Sequence, residues 1–217
     1  MTAEPPETAR FEEGDLVEIR VNGRVVGRLE QRPESALTVE DEAAVALEVD
    51  QLVQSMNELL EDHHDVQSDG DERIAAEIVA RRESTVEIFT SDHGEWQRVT
   101  DRQPGQEARI DPNDRTTDET DHTMTDTPPE ATRFEDANYV EIKVGGEIVA
   151  RVEQRPATAM TDSELAGLSL MLGSLVDDIA DELADEFGRT PYEVLDETGT
   201  TVEVTATGTD TWVTRIE

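Results

Sequence analysis

The sequence predicts an α+β protein made of two tandem ββαββ modules, each an antiparallel four-stranded sheet with a long helix packed on one face, arranged as a fused pseudo-two-fold dimer. Three observations carry this expectation. The first 38 residues occur twice, alternating apolar runs come in pairs joined by turn residues, and each copy holds one long helical stripe. Met1–Thr38 recurs as Met124–Thr161 at a constant offset of 123, with 21 identities in the 38 positions and no gap. An ungapped match of that length points to duplication and fusion, and the methionine heading the second copy reads as a former start site.

Each copy opens on an alternating run, Leu16–Val21 and Tyr139–Val144. Val17, Ile19 and Val21 point one way and Glu18 and Arg20 the other, as in a half-buried strand. Asn22-Gly23 and Gly145-Gly146 follow, pairs that accept the positive φ of a type I′ turn, and the runs from Arg24 to Glu30 and from Glu147 to Glu153 return as second strands.

A long helix is expected from Thr38 and from Thr161, each followed three residues later by an acid, Asp41 or Glu164, in the manner of a capping box. Val45, Val49, Leu52, Val53, Met56, Leu59 and Leu60 form one stripe; Leu165, Leu168, Leu172, Leu175, Val176, Ile179 and Leu183 form the other. Such stripes pack on a sheet. Leu47, Leu170 and Met171 fall outside them and are the expected contacts between the long helices.

Each copy closes on a second pair of strands: Thr85–Thr90 with Trp96–Thr100, and Thr201–Thr205 with Trp212–Ile216. The offset there is 116, so copy 1 has extra residues before this hairpin, enough for a short helix over Glu72–Arg82. From 101 to 131 the chain is rich in Asp, Thr, Pro and Gln with few apolar residues, which reads as a linker. The expected organisation is therefore 1–100 (1–10 flexible), 101–131 and 132–217.

The chain carries 53 acidic and 18 basic residues, a formal charge of -35, and Lys143 is its only lysine. That balance matches proteins of a salt-in halophilic cytoplasm. At roughly 1 M salt the Debye length is about 3 Å, so self-repulsion is largely screened. Apolar periodicity sets disorder aside for most of the chain. Direct nucleic-acid binding is disfavoured because no segment supplies a basic stripe. The absence of cysteine removes disulfides and thiolate chemistry. Without an apolar h-region or a run of 18 apolar residues, the reading is cytoplasmic, with no membrane.

The sequence assigns no reaction, and no cofactor or metal is expected. Asp62-His-His-Asp65 followed by Asp69-Gly-Asp-Glu72 has metal-ligand residue types, but the twelfth position of a calcium loop would fall on Ala76, so a solvated helix end is the expectation. Glu30-Gln-Arg-Pro33 recurs as Glu153-Gln-Arg-Pro156, which makes Arg32 and Arg155 candidate contacts for a partner or anion, or ties to the acidic start of their own helices. Trp96 and Trp212, equivalent on the last strands, are candidate hot spots or core. The functional expectation is a non-enzymatic interaction or regulatory module, its two copies paired within the chain, with an unidentified protein partner. The alternatives are an acidic nucleic-acid mimic or inhibitor of a basic partner, and an enzyme or small-ligand binder with a site between the copies.

Overall fold

A computed structural model describes residues 14–64, 71–92, 95–102 and 137–207. The expected linker from 103 onward, the turn at His93-Gly94, the residues 65–70 of the acidic cluster and the last strand with Trp212 lie outside these. In chain order the elements are β1 (Asp15–Val21), β2 (Arg24–Gln31), α1 (Val39–His64), α2 (Asp71–Arg81), β3 (Val86–Asp92), β4 (Glu95–Arg102), β5 (Asn138–Val144), β6 (Glu147–Gln154), α3 (Asp162–Phe187), α4 (Pro191–Thr198) and β7 (Val202–Thr207). The fold is α+β with an antiparallel sheet, as expected, and β4 runs two residues into the stretch read as linker.

Local chemistry sets the element ends. Asn22 (φ 51°) and Gly23 (φ 77°), and Gly145 (φ 59°) and Gly146 (φ 86°), hold the positive dihedrals that a type I′ turn needs. The side chain of Thr161 accepts from the Glu164 backbone N–H while the Glu164 carboxylate accepts from the Thr161 N–H. Thr38 and Asp41 exchange the same two bonds at 2.9 and 3.2 Å. Between α3 and β7, Pro191–Thr198 forms α4. Thr190 and Glu193 cap its start, and Gly188 and Gly199, both left-handed, end α3 and α4.

The strands form one seven-stranded sheet in the order β4-β3-β1-β2-β6-β5-β7 rather than two separate sheets. The halves join where β2 pairs antiparallel with β6, from Gly27↔Gln154 to Gln31↔Ala150. Because equivalent residues differ by 123, exchanging the repeats maps Gly27↔Gln154 onto Gln31↔Ala150, and Leu29↔Val152 onto itself. The same irregularity interrupts both hairpins, between Ile19 and Arg20 and between Ile142 and Lys143.

The long helices do not cover their own strands. α3 lies over β1 and β2, whereas α1 lies over β5 and β6; the two helices pack side by side, with α2 flanking α3 and α4 flanking α1. The exit of β2 explains the exchange. Beyond Gln31 the chain continues along the other repeat, with the Arg32 N–H donating to the Val149 carbonyl and the Arg155 N–H to the Val26 carbonyl, both at 3.0 Å. A helix starting seven residues later is thereby delivered over the neighbour's strands.

One continuous core results. Ile19, Val21 and Leu29 from one half and Val140, Ile142 and Val152 from the other share the helix-facing side of the sheet with Met56, Leu60, Leu168 and Leu172 from the helices. Met171 is also fully buried, and Leu47 and Leu170 pack partly buried against this core.

Helix–sheet contact is closest at Gly167, where an added Cβ would stand 2.5 Å from Val21 Cγ2 and 3.3 Å from Val86 Cγ2. Two turns on, a Cβ at Gly173 would meet only Val53 Cγ1, at 3.7 Å. The two glycines therefore predict opposite outcomes in one helix. Gly167→Ala should cost about 1–3 kcal/mol through overpacking, while Gly173→Ala should gain up to about 1 kcal/mol from helix propensity. Denaturant melts at fixed high salt check both.

Candidate functional site

The sheet face away from the helices carries alternating charge, with Glu18, Arg20, Arg28 and Glu30 from one half and Glu141, Lys143, Arg151 and Glu153 from the other among its outward positions. The Glu18 carboxylate, fully buried, accepts from Arg28 Nε at 2.9 Å and Arg20 Nε at 2.7 Å. Arg28 also reaches Glu153 of the other repeat at 3.5 Å. In the second half Glu141 accepts from Arg151 Nε at 3.0 Å and lies 3.9 Å from Lys143, and Tyr139 donates to Glu153 at 3.1 Å. Such buried charges are tolerated because each is met by opposite charge and hydrogen bonds.

Arg32 and Arg155 are brought to the line between the repeats, where both are engaged. Arg32 pairs with Glu147 at 2.9 Å and Arg155 Nε donates to the Val25 carbonyl at 2.8 Å. Burial lowers the Arg155 pKa, and the nearby guanidinium groups of Arg24 and Arg28 add to this. Arg24 in turn binds Glu164 at 2.9 Å. Glu164 titrates below the ordinary range: burial opposes ionisation, but the bonds from the Thr161 backbone N–H and from Arg24 outweigh it. These Arg24, Arg32 and Arg155 contacts join one repeat to the other, and Arg155 also interacts with the charge of Glu164 at the start of its own helix. Trp96 stands opposite Ser91 on β4, and Trp212 lies outside the described residues. His63 Nδ1 lies 3.3 Å from Asp162 at the start of α3. No group of three metal-ligating side chains occurs among the described residues.

Two features escaped the sequence reading. Glu48 sits in α1 at the place of Met171 in α3, 123 residues on, and is buried with no hydrogen bond or ion pair among the described residues. Burial pushes its carboxyl pKa up to about 7. Its mismatch with an apolar equivalent was the available signal. The second feature is a corner where α3 gives way to α4. Phe187 and Tyr192 are 41% and 65% exposed and are the exposed large apolar side chains among the described residues. Their signal was the scarcity of aromatics, 4% of the chain.

No family model, curated protein or solved structure matches this chain. No helix among the described residues is long and apolar enough to cross a membrane.

The Glu48 geometry predicts a pH signature. An unfolded chain titrates this group near 4.5 and the folded protein near 7, so between those values the folded state holds more protons and stability falls as pH rises. The loss should approach about 3 kcal/mol above pH 7 and vanish below pH 4. Glu48→Met, the residue of the equivalent site, should therefore stabilise strongly at pH 8 and little at pH 4. Melts across pH at constant salt test this, and an unchanged slope in Glu48→Met would contradict it.

Proposed function

We propose that the protein is a non-enzymatic interaction or regulatory module, a fused pseudo-two-fold dimer working in a salt-rich cytoplasm. The symmetric register about Leu29 and Val152 supports the pseudo-dimer, since isologous contact maps each pair onto its equivalent. The observation that carries the interaction reading is the exposure of Phe187 and Tyr192, one at the end of α3 and the other in the first turn of α4. Exposed aromatics on a rigid support are the residue type that anchors protein interfaces. Arg32 and Arg155, on which a ligand site between the copies would rely, are engaged in joining the repeats.

A net charge of -35 on 217 residues supports the salt-rich setting. Far-UV circular dichroism should show a cooperative gain of structure between about 50 mM and 2 M KCl as the Debye length shrinks from over 10 Å to about 2 Å. Full structure at the lowest salt would remove this part of the proposal.

The interaction itself is tested by capture from a high-salt lysate of the source cells, using the full chain and a Phe187→Ala/Tyr192→Ala variant, with retained proteins quantified by mass spectrometry. A protein retained by the first and depleted with the second is expected. Retention of nothing by either would count against an interaction module, whereas equal retention would move the surface elsewhere.

A further inference from the structure

We infer that the corner formed by Phe187 and Tyr192 receives an arginine side chain of a partner polypeptide; this rests on the interaction reading above and specifies its chemistry. The corner is held rigidly. Phe187 ends α3, Gly188 closes that helix in the left-handed conformation, and the Thr190–Glu193 capping box fixes the first turn of α4, on which Tyr192 sits. Val194 and Leu195 are buried, and α4 is packed against α1. The backbone that carries both rings is thus fixed, which leaves only their side chains to order on binding.

Three observations select a cation. Aromatic faces attract positive charge through their quadrupole. The last turn of α3 contains no basic residue, so the negative end of its dipole is not neutralised from within the helix. The flanking side chains Asp185, Glu186, Glu193 and Asp196 are exposed carboxylates, and the one arginine of the connection, Arg189, is committed to Glu197 at 3.0 Å.

Arginine is favoured over lysine on two counts. Its planar, weakly hydrated guanidinium stacks on rings, whereas an ammonium group keeps its water. At molar salt, attraction beyond about 3 Å is screened and contact stacking survives. The corner belongs to the second half alone, because the first half has α2 in place of α4.

The test titrates the full-length protein in about 2 M KCl with two probes, the peptides acetyl-(Gly-Arg)5-amide and acetyl-(Gly-Lys)5-amide, followed by NMR shifts of the Tyr192 and Phe187 rings. The arginine peptide should bind with shifts centred on those rings, and the lysine peptide should bind about 5-fold more weakly or less. Phe187→Ala/Tyr192→Ala should weaken the arginine peptide by a similar factor, while Tyr192→Phe retains it, and circular dichroism should show all three proteins equally folded. Equal affinity for the two peptides, indifference to the double substitution, or no binding would overturn the inference. Self-association of the wild type that is lost in the double variant would assign the corner to a second copy and overturn it equally. Loss of the arginine preference while a lysate partner is still captured would leave the interaction reading standing and this chemistry refuted.

Discussion

The pairing of β2 with β6 is the constraint from which the rest of the architecture follows. Taken separately, each repeat would end on an exposed strand with a row of unsatisfied backbone groups, a template for aggregation. Joined in antiparallel register around Leu29 and Val152, the two edges satisfy each other and bury that pair within one sheet. The strands then continue past the junction, as the Arg32 and Arg155 backbone bonds record, and each long helix begins over its neighbour's strands. The core is consequently shared. Gly167 of one half presses on Val21 and Val86 of the other, and Leu168 fills the space where Gly27 has no side chain.

Charge follows the same line. In a chain with few cations, Arg24, Arg28 and Arg32 all reach carboxylates of the other half. Ion pairs at an exposed surface contribute little, but those involving Glu18, Arg28 and Glu164 are largely removed from water, where an unpaired charge would be costly. Their effect is to disfavour other registers of β2 on β6, since a slip of one residue would turn Arg28 and Glu30 into the apolar face and expose Leu29.

Much of this was legible in the sequence because it depends on local periodicity. Alternation at Val17–Val21, the Asn22-Gly23 and Gly145-Gly146 turns, and the Thr38 and Thr161 caps each fix their own element. The crossing of the helices was not legible. It depends on which strand edges meet, and the amphipathic stripes of α1 and α3 are equally suited to either half's sheet. The same limit explains Arg32 and Arg155: their spacing marked them as special, but their partners lie 115 and 130 residues away. Glu48 and the Asn57–Ser169 bond, 2.7 Å long between α1 and α3, were hidden because a polar residue inside a stripe declares its burial only once the second helix is in place.

The claim that the two halves form one interlocked unit is tested most directly by native-state hydrogen exchange at high salt, resolved by residue. Amides of β2 and β6 around Leu29 and Val152 should exchange only through global opening, with the same free energy and denaturant dependence as the slowest amides of α1 and α3. Two distinct opening free energies, one for each half, with the β2 and β6 amides exchanging faster than either set, would contradict it.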